Sequence, residues 1–268
     1  MSTLRGAAVV LVALWVAAAA FAHDTWIAPR AFFAKAGETV VFDATSHDAF
    51  PALDFAIAPE RIARSGVRLA GRTRPLAVRG RGAKSLELHA MLETPGIAVA
   101  WIELAPKRLE LTADKVAEYL DDIGRGAEAR NPPKGRWRES YRKLMKTVVA
   151  VGDASEEGSA SEPVGLALEL VPLANPQTLR VGDVLRLRLL KDGRALGGLA
   201  VAAAHASAPR RFETTSPEGE VSFTLDRTGP WLFAATELDR STKPGLEWES
   251  LFATLTLGVA TAPPKAAP

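Results

Sequence analysis

Four histidines are the strongest transition-metal side chains in this sequence, which contains no cysteine. Without thiolates, a metal site must draw on imidazole, carboxylate, backbone or a terminal amine. That donor set suits nickel, cobalt, zinc or divalent copper better than cuprous ion. His23 stands out by position: it follows Ala20-Phe21-Ala22, a small-x-small cleavage site, so processing makes it the first residue of the mature chain. A terminal histidine offers its α-amine and its imidazole as one chelate. An α-amine with a pKa of about 7.7–8 meets only mild proton competition near neutrality. The plain alternative is that processing leaves a histidine there by chance.

The other candidates rank below it. His47 lies in the loop Thr45-Ser46-His47-Asp48-Ala49-Phe50, where a histidine beside an aspartate is either a second ligand or an ordinary surface residue. Asp24 is either a ligand beside His23 or a turn residue. His89 shares the polar side of a strand with Glu87 and Met91, and either completes a site or is simply exposed. His205 follows a run of small residues and reads as a strand end.

The segment before His23 reads as an export signal. Arg5 supplies the positive n-region, and the apolar run Ala7 to Ala20 is roughly 14 residues, against the roughly 20 a membrane span needs. Residues 1–22 are therefore expected to be a signal peptide, the location periplasmic, and the mature chain free of transmembrane segments. An uncleaved anchor is the alternative. The formal charge of +2 falls to +1 once Arg5 leaves, which gives no reason to expect nucleic acid as a partner.

The elements that must position these residues are mostly strands. Glu38 to Asp43 and Leu53 to Ala58 read as short strands. From Lys84 to Leu92, Leu86, Leu88, Ala90 and Leu92 alternate with polar residues, and Thr94-Pro95-Gly96 predicts a hairpin into Ile97 to Leu104. The arginine-rich stretch from Arg61 to Lys84 predicts strands and turns on a solvated face, with an anion patch as the alternative. Thr112 with Asp114 predicts a helix start, and Val116, Leu120 and Ile123 share a face. Trp137, Tyr141, Leu144, Met145 and Val148 predict a second helix.

Strands resume at Val164. Leu185, Leu187 and Leu189 alternate with arginines, and Asp192-Gly193 is a hairpin signal. Gly198 to Ala204, Val221 to Leu225, Trp231 to Thr236 and Leu251 to Val259 complete the set. The fold class is thus mainly β: two immunoglobulin-like or Greek-key β-sandwich domains, 23–106 and 164–260, with a two-helix insertion at 107–151 between them. Residues 152–163 read as a flexible acidic linker, and 261–268 as a disordered tail.

No nucleophile elbow, phosphate loop, dinucleotide fingerprint or HExxH helix is present, so hydrolytic and phosphate-cradling chemistry is disfavoured and no catalytic residue is named. Five aromatic residues, Trp26, Trp101, Trp137, Trp231 and Trp248, would be needed by a metal-free envelope interaction module, but strand tryptophans mostly pack inside.

Several stretches resemble one bacterial periplasmic family. They are His23-Asp24-x-Trp26, Ser46-His47-Asp48, the segment from Val164 to Pro176, Gly229-Pro230-Trp231, and Trp248-Glu249-Ser250 continuing to Thr256. That family is a domain of unknown function commonly labelled a nickel-uptake or cobalt/nickel transport periplasmic component. The resemblance implies secretion, two β-rich domains and divalent-metal handling, with His23 and His47 matching the family's histidines. Where members often carry a further histidine, this chain has Ala235-Thr236-Glu237-Leu238, so either Glu237 replaces it as an oxygen ligand or the site is weaker or absent here. The expectation is a metal-binding accessory protein for nickel or cobalt uptake, serving a transporter of the inner or outer membrane. A copper carrier or copper-dependent oxidative protein is the first alternative.

Overall fold

The structure is a computed structural model, and it describes residues 23–153 and 158–260. In chain order its first strands are β1 (Asp24–Pro29), β2 (Phe33–Ala34), β3 (Glu38–His47), β4 (Phe55–Ala56), β5 (Ile62–Leu69), β6 (Arg72–Arg74), β7 (Ala77–Arg81), β8 (Leu86–Leu92), β9 (Gly96–Leu104) and β10 (Lys107–Leu111). Two helices follow, α1 (Ala113–Asp122) and α2 (Gly126–Ala129), and then the long strand β11 (Trp137–Val151). The remainder is β12 (Leu168–Pro172), β13 (Val184–Lys191), β14 (Arg194–Ala195), β15 (Ala200–His205), β16 (Ala208–Thr214), β17 (Glu220–Thr224), β18 (Gly229–Arg240) and β19 (Trp248–Val259). The protein is mainly β, a β-sandwich of immunoglobulin-like build.

The strands form three sheets stacked as layers. The middle layer is a ten-stranded sheet ordered β16-β15-β18-β19-β11-β9-β5-β6, with β10 and β2 also on β11. On one face lies the sheet β1-β3-β8-β7, and on the other the sheet built on β12, β13, β14 and β17. Strand alternation divides the middle sheet's side chains between two cores. Ala98, Ala100, Ile102, Met145 and Val149 pack against Phe42, Leu86 and Leu88 of the first sheet. Ile97, Val99, Trp101, Leu144 and Val148 pack against Leu170, Leu185 and Leu187 of the other. The two sandwiches expected from the sequence therefore share their central sheet. Gly66 lies opposite Trp101 in the β5–β9 pair, and a Cβ there would sit 2.6 Å from the indole, so only glycine leaves room for the ring.

Three local expectations are corrected. The predicted helix at Trp137–Val149 is β11, which runs parallel to β19 from Glu139↔Trp248 to Thr147↔Thr256. Both faces of β11 are covered, so its apolar residues fall on odd and even positions alike and imitate a helical stripe, while Thr147, Val148, Val149 and Val151 favour a strand. Thr94-Pro95-Gly96 does not close a hairpin either: β8 and β9 belong to different sheets, and the turn carries the chain between layers. The expected linker at 152–163 is partly built in. Residues 154–157 lie outside the described ones, but Ser159 and Ala160 are buried in a short 3-10 turn, and Ser159 Oγ donates to the Ile97 carbonyl at 3.0 Å. Arg68, from the stretch expected on a solvated face, donates to the carbonyls of Ser159, Glu162 and Pro163 at 2.6–3.0 Å. The expected signal peptide and tail lie outside the described residues. Among those described, no helix is long and apolar enough to cross a membrane.

Candidate functional site

His23 enters β1, whose register against β3 sets Asp24 opposite His47, Thr25 opposite Ser46 and Trp26 opposite Thr45. The strand is also pinned to the face of the middle sheet by side chains from below. Thr254 and Thr256 of β19 donate to the carbonyls of Thr25 (2.8 Å) and Ile27 (2.7 Å). Lys143 of β11 donates to the His23 carbonyl (2.6 Å) and to Thr25 Oγ1 (2.8 Å), and Thr25 Oγ1 also bonds Ser46 Oγ at 2.6 Å. Burial between these strands lowers the Lys143 ammonium to about 8, with Asp24 opposing the shift. The first residues of the described chain are thus held by the tertiary structure.

The imidazole of His23 meets Asp48 through Nδ1 and Oδ1. Asp24 is paired with Arg210 of β16. Across from them stands α1, whose Val116, Tyr119 and Leu120 are buried. It ends in a Schellman turn: Gly124 N–H bonds the Asp121 carbonyl (2.9 Å), Arg125 N–H bonds that of Leu120 (2.7 Å), and Gly124 takes φ of +80°. Asp24, Asp48, Glu118, Asp121, Asp122, Arg210 and Phe212 line a cleft of about 440 Å³. Its five carboxylates face one guanidinium, and they repel one another. Burial and the neighbouring Glu118 push the Asp122 carboxyl up, Arg210 pulls it back, and Asp121 and Asp48 add to the rise. A cleft with that balance attracts cations.

His47 adjoins this corner but is committed. Its Nδ1 accepts the backbone N–H of Asp48 (2.6 Å) and of Ala49 (3.1 Å), which leaves the proton on Nε2 in the neutral ring. Ligation by His47 therefore requires a tautomer change or the loss of those two bonds. His205 is held likewise, with Nε2 on the Thr228 carbonyl at 2.9 Å and Ser207 at Nδ1.

The structure does not bring His89 or Glu237 to this corner. His89 bonds Glu87 at 2.8 Å, and Glu87 also takes Arg30 at 2.6 Å. Its cross-strand neighbour Val41 is six residues along β3 from His47, about 20 Å at strand rise. Glu237 pairs with Lys191, and strand parity sets it on the face of β18 with Phe233 and Ala235, toward the third sheet, whereas Leu232 packs with Trp26 on the His23 side. Among the described residues, no three His, Asp or Glu side chains are grouped so as to hold a metal together. Trp26, Trp101, Trp137, Trp231 and Trp248 are all buried.

Sequence reasoning points to Asp48 only as the neighbour of His47, and it misses Glu118, Asp121, Asp122, Arg210 and Lys143. Glu118, Asp121 and Asp122 did leave a signal, since i, i+3 and i+4 positions share one helix face, opposite the apolar stripe. A family model described as a domain of unknown function, DUF4198, matches residues 20–239. The chain belongs to this family. No curated protein matches it. Among solved structures it is similar to a mutant of Salmonella alpha-2-macroglobulin at 12% identity and TM-score 0.26, over 88% of this chain and 15% of that one. The same Salmonella protein reacted with methylamine matches at 12% identity and TM-score 0.23, over 90% of this chain and 15% of that one. An ICAM-5 ectodomain fragment matches at 15% identity and TM-score 0.22, over 91% and 55%. Likenesses this low carry no argument about function, and the DUF4198 chain spans a small part of the first of them.

Proposed function

We propose that this DUF4198 protein is a periplasmic divalent-metal-binding accessory protein of nickel or cobalt uptake, and that it takes its metal at the processed N-terminus. The amine and Nδ1 of His23 form the chelate, and Asp48 supplies the adjacent oxygen. The observation that carries the reading is the contact between His23 Nδ1 and Asp48, which is itself one of the five carboxylates that line the cleft. A metal on Nδ1 finds the Asp48 carboxylate already beside it. The amine is a donor that cleavage creates, so the processed chain has one more donor than the side chains alone provide. The ion is cargo, and its recipient is a membrane metal transporter.

Two forms of the protein test the chelate: one keeping Ala22 before His23, and His23→Ala. Both are expected to lose Ni(II) and Cu(II) affinity by at least about tenfold, roughly 1.4 kcal/mol, while melting like the parent without metal. Equal binding by the Ala22-retaining form overturns the chelate. Tighter binding of copper than nickel follows from the general divalent order and does not choose between them. The metal content of protein exported with its native leader does.

A further inference from the structure

We propose that Lys143 is a positioning residue that decides which metals the N-terminal site accepts; this rests on the reading of His23 as the metal site. A terminal histidine offers an incoming ion two competing chelates. One joins the amine to the imidazole, and the other joins the amine to the residue's own carbonyl oxygen. Nickel and divalent copper favour the first, whereas oxygen-seeking ions such as manganese and magnesium favour the second.

Lys143 closes the second route. Its ammonium lies 2.6 Å from the His23 carbonyl oxygen, a charge-assisted bond that occupies the oxygen and sets a positive charge beside it. The anchor is stiff, because the same ammonium bonds Thr25 Oγ1 at 2.8 Å, Ser46 holds that hydroxyl, and Thr254 holds the Thr25 carbonyl. Tyr141 and Phe252 flank the ammonium, with ring centroids 5.8 and 5.4 Å away. With the carbonyl held on Lys143, the imidazole of His23 meets Asp48, and the amine is the backbone donor left to join it in the chelate. Lys143 touches no metal in this arrangement; it acts through the orientation of His23.

The test compares processed wild type, Lys143→Met, Lys143→Arg and Thr25→Val. Each is titrated with Cu(II), Ni(II) and Mn(II), and the Cu(II) form is examined by electron paramagnetic resonance. In Lys143→Met, the preference for Ni(II) over Mn(II) is expected to narrow by about tenfold or more, and the copper signal to move from two nitrogens toward mixed nitrogen and oxygen. Lys143→Arg restores both, and Thr25→Val shifts both part-way. An unchanged preference and signal in Lys143→Met that binds metal overturns the inference while leaving His23 as the site. If wild type binds no divalent ion, or His23→Ala binds equally well, the underlying reading falls and this one with it. Should Lys143→Met fail to melt cooperatively, Thr25→Val decides: no shift there overturns the proposal.

Discussion

The two faces of the middle sheet handle charge in opposite ways. Toward the third sheet, Lys146 and Glu169 are sealed together at 2.7 Å, each 1% exposed. Glu169 also accepts the N–H groups of Val164, Gly165 and Leu166, so its lone pairs are used inside the protein. Burial lowers the Lys146 ammonium and Glu169 pulls it back. Toward β1 and α1, charge collects at the rim, and carboxylates outnumber cations around the cleft. A closed pair holds layers together and has nothing left to offer a ligand. A rim cluster with excess negative charge retains potential that an arriving cation can use.

The largest effect expected from this contrast follows Lys146→Ala, which strands a buried carboxylate and should cost about 3–5 kcal/mol. Chemical denaturation measures it, and a loss under about 1 kcal/mol would mean the pair behaves like a surface one.

The α1 face has one sealed carboxylate of its own, which sharpens the comparison. Glu139 is fully buried and accepts from Tyr119 (2.9 Å), Trp137 (2.8 Å) and Ser250. Burial raises its pKa above 4.5, against the lowering by those donors. The native state therefore keeps this proton after the unfolded chain has released it. The resulting stability is complete below the unfolded value and is lost as pH rises through the raised native one. Glu139→Gln, which cannot ionise, should gain on wild type as pH climbs above 4.5. A stability difference that stays flat from acid to neutral pH would show no such linkage.

Neutralising the rim is expected to act mainly on rate. Glu118→Gln with Asp121→Asn should slow Ni(II) association a few-fold at low salt, roughly, and the difference should fade at high ionic strength. Stopped-flow at two salt concentrations checks it, and a salt-independent difference would point to direct ligation instead. The smallest effect is assigned to Glu237→Gln and His89→Ala. Metal affinity should stay within about twofold of wild type by calorimetry, because one residue faces the opposite core and the other sits far along the first sheet. A tenfold loss in either variant would break the contrast between the faces.

Part of this architecture is legible without coordinates. Leu86, Leu88, Ala90 and Leu92 are buried on one side of β8, as are Leu185, Leu187 and Leu189 on β13, because period-two alternation is a local property of a strand with one face on a core. Asp192 and Gly193 turn with φ of 48° and 76°, as a two-residue hairpin requires. The scarcity of histidine, the lack of cysteine and the small-x-small pattern just before it direct attention to His23 from composition and position alone. What tertiary structure decided is everything that depends on a distant partner. β11 is a strand because β19 supplies its parallel ladder and because cores on both sides erase the alternation that would have announced it. Arg210 reaches Asp24 from 186 residues away and Lys143 reaches His23 from 120, separations at which local pattern carries no information. Glu237 was aligned with the site by resemblance, yet strand parity turned it to the other face, since a side chain's face is fixed by pairing register and not by its identity.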